Sequence, residues 1–335
     1  PTRRDFVADQ EVRWCPGCGD YSILANMQRV MPDLGVPREN VVFVSGIGCS
    51  SRFPYYMDTY GFHTIHGRAP SFATGIKISR PELSVWVVTG DGDGLSIGGN
   101  PLLHTIRRNL DLQILLFNNE VYGLTKGQYS PTSVAGMKTK STPGGSIDHP
   151  VDPIAFALGC GATFVARTID TDANHLQAIL RRAHEHKGTS FVEILQNCPV
   201  FNDGIFSELE SRHTRADSSL LLEQGEPLVF GSPGNRKGVT LHHGSPALVD
   251  LADSDDPVAK GVGIHDETRA TTAYASVLAT LHRPDFPVPV GVFREAEKSC
   301  YEQVLQQEVD EAIARSGKDK LASLMRSGET WTVEA

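Results

Sequence analysis

Four short apolar runs punctuate the first two thirds of the chain: Val41–Ser45, Ser84–Thr89, Leu112–Asn118 and Ser190–Leu195. None alternates apolar with polar positions. Continuous runs of this length suit strands of a parallel sheet covered on both faces. Between them lie stretches with helical spacing, near Asp20–Val30, Ser96–Asn109, Asp152–Leu158 and Asp172–Lys187. Strand–helix alternation predicts an α/β fold, a mostly parallel sheet with helices on both faces and right-handed crossovers. After about residue 206 the pattern loosens. Gly231–Gly238 and Gly244–Asp256 are rich in Gly, Pro, Ser and Asp and read as loops. Two helices are expected near Thr268–Leu281 and Tyr301–Arg315. The organisation is therefore a cofactor-sized domain over residues 10–205 and a C-terminal extension over 206–335, packed on the core or on a partner subunit.

Composition narrows the class. Hydrophobic residues at 40% suffice for a packed core, and the net charge of −9 argues against a general nucleic-acid binder. No apolar run reaches the roughly 20 residues of a membrane span, and no apolar stretch follows Arg3-Arg4, so a cytoplasmic setting is expected. In that setting six cysteines point to metal or catalysis rather than disulfides.

Ligands of open α/β sheets bind beyond the carboxyl ends of the strands. Three of the four runs lead into chemical sequences: Gly46-Ile47-Gly48-Cys49, Gly90-Asp91-Gly92-Asp93 and Asn118-Asn119; the fourth is followed by Cys198. A magnesium diphosphate needs hard oxygen ligands and close backbone approach. Asp91 offers a carboxylate, Asn119 an amide oxygen and Val121 a backbone carbonyl. Gly90 and Gly92 open the backbone to phosphate, and the helix expected from Ser96 would point its positive end the same way. Alone, GDG is a common turn and NN a common loop. Both at strand ends resemble the thiamine diphosphate motif. No GxGxxG follows the first strand, so a Rossmann dinucleotide site fits less well.

The cysteines form a second constellation: Cys15-Pro-Gly-Cys18, then Cys49, then Cys198. By themselves they suit zinc and a [4Fe–4S] cluster equally. The thiamine motif shifts the balance to the cluster, because thiamine-bound electrons need a nearby one-electron acceptor. Cys160 reads as a buried small hydrophobe, and Cys300 has no assigned role.

With both constellations in place, the chain resembles the β subunit of 2-oxoacid:ferredoxin oxidoreductases. The stretches that carry this are WCPGCG at 14–19, GIGCSSR at 46–52, HGRAPSFATGIK at 66–77, GDGDGLSIGGN at 90–100, NNEVYGLTKGQYSPT at 118–132 and NCPVFND at 197–203. PVPVGVFREAEKSCY at 287–301 is similar but less diagnostic. The resemblance implies a thiamine diphosphate-binding fold, a cluster on Cys15, Cys18, Cys49 and Cys198, and magnesium on Asp91, Asn119 and Val121. It implies cofactor contacts at Ile47, Gly48, Cys49, Ser50, Ile65, His66, Gly67, Arg68, Gly90, Gly92, Asp93, Gly123 and Leu124. Catalytic roles fall on His66, Arg68 and Lys126. In relatives with the GLTKGQ form the lysine is associated with the 2-oxoacid, and a distal carboxylate, as in 2-oxoglutarate, would benefit from it.

The implied reaction is oxidative decarboxylation of the 2-oxoacid with coenzyme A, passing electrons to ferredoxin and reversible when ferredoxin is sufficiently reduced. The rivals are the same chemistry on pyruvate or another 2-oxoacid, a non-redox thiamine carboligase, and a zinc-binding scaffold. The resemblance also implies an α subunit in an αβ or (αβ)2 assembly, since no motif here supplies the carboxylate that activates thiamine. Glu120 adjoins the magnesium loop and is expected at the diphosphate end.

Overall fold

The computed structural model describes residues 1–242, 244–316 and 321–334. Eleven strands are seen among them. β1 (Val41–Ser45), β2 (Tyr60–His63), β3 (Ser84–Gly90), β4 (Leu112–Asn118), β5 (Phe164–Ile169) and β6 (Thr189–Leu195) are mutually parallel. β7 (Ser219–Leu222) and β11 (Val288–Glu295) complete one eight-stranded sheet, ordered β2-β1-β3-β4-β6-β5-β11-β7. β11 runs antiparallel to β5, and β7 parallel to β11.

The apolar runs are continuous because both faces are covered. On one face α3 (Ala69–Ser79), α5 (Gly99–Arg108) and α6 (Pro153–Gly159) pack Ala73, Leu102, Ile106 and Ile154 onto Val42, Val44, Val85, Val87 and Ile114. On the other, α1 (Asp20–Val30) and α7 (Ala173–Glu185) pack Ile23, Met27, Leu176 and Leu180 onto Phe43, Trp86, Val88, Leu115 and Val192. Alternate residues of each strand serve alternate faces.

The helix expected over Ser96–Asn109 is divided. A short helix, α4 (Asp91–Leu95), follows β3 directly, and α5 begins at Gly99. Ser96 leaves helical geometry (ψ −110°), and Gly98 packs against Gly67, where a Cβ would stand 2.3 Å from the Asp93 carbonyl oxygen. The positive end expected near Ser96 therefore belongs to α4 and starts inside the GDG motif.

Two further expectations change. β5 was not evident, because Arg167 and Thr168 interrupt its apolar run. Arg167 is buried beside Glu193, its register partner on β6, with Nε donating to Oε2 at 2.6 Å. The segment read as loops over 231–256 instead carries β9 (Lys237–His242) and β10 (Ser245–Asp250), antiparallel to each other, with β8 (Val229–Phe230) beside β9. Val239, Leu251 and Val262 join the main core, and this packing overrides the local turn signals. Residues after 206 thus add two strands to the main sheet and a small second sheet. Cys160 is partly exposed rather than buried, while Cys300 is buried. Among the described residues no helix is long and apolar enough to cross a membrane.

Candidate active site

β1 leads to β2 on one side, and β2 returns through α3 to β3 on the other side of β1, so the sheet changes direction between β1 and β3. A crevice at such a switch point is where these sheets take ligands. A cavity of about 400 Å³ lies there, lined from the loops after β1, β3, β4 and β6.

From the β1 loop come Ile47, Gly48, Cys49 and Ser50; from β3 and α4 come Gly90, Asp91, Gly92 and Asp93. The loop after β4 contributes Asn119, Val121, Gly123 and Leu124, and His66 joins from the segment before α3. The remaining expected contacts sit apart from this lining. Ile65 is exposed, and Arg68 turns its Nη1 to the Ile97 carbonyl at 2.9 Å. Gly67 has φ +70°, and its Cα faces Gly98 so closely that a Cβ would meet backbone at 2.5 Å.

Asp91 is 2% exposed, and burial pushes its carboxyl up to about 6. Thr132 Oγ1 stands 2.7 Å from its Oδ2 and 2.9 Å from Asn118 Oδ1. Asn119 is held at both ends of its amide: Nδ2 donates to Gln196 Oε1 at 2.9 Å, and Oδ1 accepts from the Val121 N–H at 3.2 Å. A buried carboxylate and an oriented amide at one end of a glycine-lined cavity fit the donor set of a magnesium diphosphate.

The cysteines approach from three segments: the turn before α1, the loop after β1 and the loop after β6. A Cβ on Gly123 would stand 3.5 Å from Cys49 Sγ and 3.7 Å from Cys198 Sγ, so these two sulfurs share one neighbour. Gly17, inside the CxxC turn, packs on Pro199, which follows Cys198. Gln196 Nε2 donates to Cys18 Sγ at 3.3 Å, and Trp14 Nε1 donates to the Cys49 carbonyl at 2.7 Å. All four thiols are free. Burial pushes the Cys18 and Cys49 thiols up, Cys49 to about 12, so holding thiolates here calls for a compensating cation. Among the described residues, no group of three or more His, Cys, Asp and Glu side chains is placed to hold a single metal ion. A cluster spans a wider gap between its thiolates than one ion does.

Lys126 sits at the tip of a tight turn. Tyr122 N–H donates to the Gln128 carbonyl at 2.9 Å, and Gly127 N–H to the Tyr122 carbonyl at 2.8 Å. Its backbone is left-handed (φ +83°) and its side chain exposed, beside Leu124, Thr125 and Gln128 of the cavity rim. His63, given no role by the sequence, bonds Ser45 and the Ser51 carbonyl.

Glu120 has φ +54° and lines not this cavity but a second one of about 990 Å³, shared with Arg167 and Glu193. Sequence reading missed Asp20 and Gln196, both lining the first cavity. Asp20 is 1% exposed with neither carboxylate oxygen hydrogen-bonded, and burial pushes it up to about 7. An acidic residue directly after CPGCG was the available signal; it reads equally as an ordinary first-turn helix acid.

The fold and this cavity define a thiamine enzyme: residues 46–194 match the family described as thiamine pyrophosphate enzyme, C-terminal TPP binding domain. The chain is 51% identical over 334 residues to the 2-oxoglutarate oxidoreductase subunit KorB of Mycobacterium tuberculosis, covering 99% of this chain and 88% of that one. It is 48% identical to the 2-oxoacid:ferredoxin oxidoreductase subunit beta of Saccharolobus solfataricus, over 57% of this chain and 63% of the relative. A solved 2-oxoglutarate:ferredoxin oxidoreductase from Magnetococcus marinus, with 2-oxoglutarate, coenzyme A and succinyl-CoA bound, superposes with a TM-score of 0.77 at 31% identity, covering 98% of this chain and 97% of that one. The chain belongs to the β subunits of the 2-oxoacid:ferredoxin oxidoreductases.

Proposed function

We propose that this chain is the thiamine diphosphate-binding subunit of an enzyme that converts 2-oxoglutarate and coenzyme A to succinyl-CoA and carbon dioxide while reducing ferredoxin. One observation carries the reading: the loops after β1, β3, β4 and β6 bring the GDG and NN residues and Cys49 and Cys198 to one edge of the sheet. Thiamine diphosphate, when bound, supplies the electron sink that lets a 2-oxoacid lose carbon dioxide. Asp91, Asn119 and Val121 would hold its magnesium, with Gly48, Gly90 and Gly92 admitting the diphosphate. Cys15, Cys18, Cys49 and Cys198 would hold a [4Fe–4S] cluster, with exposed Cys15 on the side where electrons leave. The working division is a cofactor-binding part over 10–205 and an extension over 206–335; the family match falls inside the first. A cytoplasmic setting belongs to the same reading.

The activating carboxylate is assigned to an α subunit, because Glu120 faces the second cavity. The assembled α–β enzyme should reduce a viologen acceptor with 2-oxoglutarate in preference to pyruvate or branched 2-oxoacids. The isolated chain should show no such turnover until the α subunit is added. Activity of the chain alone would refute the partner's role, and equal activity with pyruvate would refute the substrate assignment.

Lys126→Ala should raise the KM for 2-oxoglutarate by roughly 10- to 150-fold, the range of a lost charge-assisted contact. The KM for pyruvate should move far less if the ammonium meets the distal carboxylate. Equal losses would place Lys126 on the carboxylate that both substrates share.

A further inference from the structure

Asp93 draws three loops together. It is 2% exposed, and its carboxylate is fully occupied by protein donors. Oδ1 accepts from the Ile47 N–H at 3.0 Å and the Gly67 N–H at 2.7 Å, and stands 2.6 Å from His66 Nδ1. Oδ2 accepts from Thr89 Oγ1 at 2.7 Å. Gly46 is required beside it, since a Cβ there would lie 1.9 Å from Oδ2. An anion so committed has nothing left to offer a diphosphate, which would repel it. Its work is directed at the protein.

His66 is held from two sides. Nδ1 faces Asp93, and the ring meets Tyr122 edge-on at 6.4 Å between centroids, while the Tyr122 hydroxyl donates to the Gly92 carbonyl at 2.9 Å. With Nδ1 engaged, Nε2 is the free ring nitrogen of a side chain that lines the cavity. A carboxylate on one imidazole nitrogen selects the tautomer and supports the charge of the doubly protonated ring.

We propose that Asp93 is a positioning residue that acts through His66, keeping Nδ1 protonated so that Nε2 exchanges a proton with the substrate's keto oxygen. The proton moves to that oxygen from Nε2 of the doubly protonated ring, which Asp93 supports, when the carbonyl is attacked, leaving the neutral ring protonated at Nδ1. It returns when a carbonyl re-forms in the acyl product, so none is consumed. This rests on the 2-oxoacid reading above, and extends it to a residue that would otherwise count as a cofactor contact.

The test is a double-mutant cycle in the assembled α–β enzyme. Asp93→Asn and His66→Gln should each lower kcat by about 100-fold, the lower end for a positioned acid–base group. KM for 2-oxoglutarate should change by only a few-fold. The double variant should be no slower than His66→Gln alone, because residues acting as one unit are non-additive. Multiplying losses would overturn the proposal and leave Asp93 as a loop scaffold. So would an Asp93→Asn enzyme that loses only thiamine diphosphate affinity and recovers full kcat at saturation. Should Asp93→Asn fail to fold, nitrogen-15 histidine spectra of the wild-type complex still decide. In its neutral form the ring whose signal is absent from His66→Gln should carry its single proton on Nδ1, and a neutral ring protonated only at Nε2 would overturn the proposal. A wild-type complex inactive with every 2-oxoacid would instead remove the reading beneath it.

Discussion

Replacing Cys15, Cys18, Cys49 or Cys198 with Ala is expected to lower bound iron sharply and abolish 2-oxoacid-dependent acceptor reduction. The four thiols come from the turn before α1, the loop after β1 and the loop after β6. Hydrogen bonds from Trp14 to the Cys49 carbonyl and from Gln196 to Cys18 hold these loops together. Removing one ligand leaves three thiols in a pocket where burial already disfavours thiolate, so the loss should spread beyond one iron atom. Cys160→Ala and Cys300→Ala serve as controls. Cys160 follows α6, and Cys300 directly precedes the helix Tyr301–Ser316. Both variants should keep full iron and the visible absorbance of an iron–sulfur protein. Full iron in Cys198→Ala would remove the fourth ligand from this scheme.

Asp91→Ala is expected to weaken thiamine diphosphate binding by more than about 100-fold, beyond the 10- to 100-fold typical of losing an outer-shell partner. Thr132→Val, which removes the hydroxyl 2.7 Å from Asp91 Oδ2, should fall within that smaller range. The cluster should survive both changes, and calorimetry with magnesium present reads them directly. Unaltered affinity in Asp91→Ala would contradict the site. Stability offers a separate check. Burial raises the folded-state pKa of Asp91 from 3.8 to about 6 in the metal-free chain. The folded state then binds the proton more tightly than the unfolded one. The group's stabilising contribution is full below pH 3.8 and is lost as pH rises through about 6. At neutral pH the metal-free carboxylate is a net cost, so metal-free Asp91→Asn should melt no lower than wild type, and its deficit should appear only when magnesium and cofactor are added.

The four main strands, and the loops that carry the candidate site residues, were legible in the chain itself. Val41–Ser45 and Leu112–Asn118 fall where their apolar runs lie, because a strand buried on both faces must be apolar throughout. GDG, NN and CPGCG stood out because hard oxygen donors and paired thiols at short local spacings are the forms in which metal and phosphate sites are written in a chain. Other features needed the tertiary structure. β5 is a core strand only because Arg167 meets Glu193 on its neighbour, a pairing with no local signature. β7 and β11 join the sheet across long stretches of chain, and the β9–β10 pair forms from a segment that looks like loop until Val239 finds the core. The placement of Glu120 goes with one left-handed residue, and Asp20 is left without hydrogen-bond partners only once the fold has buried it at the cavity wall. Sequence by itself determined which atoms are available and which strands carry them, since composition and local spacing encode both. The tertiary structure alone decided which atoms meet, because Asp93 gathers Ile47, His66 and Gly67 only after the sheet has brought distant loops together.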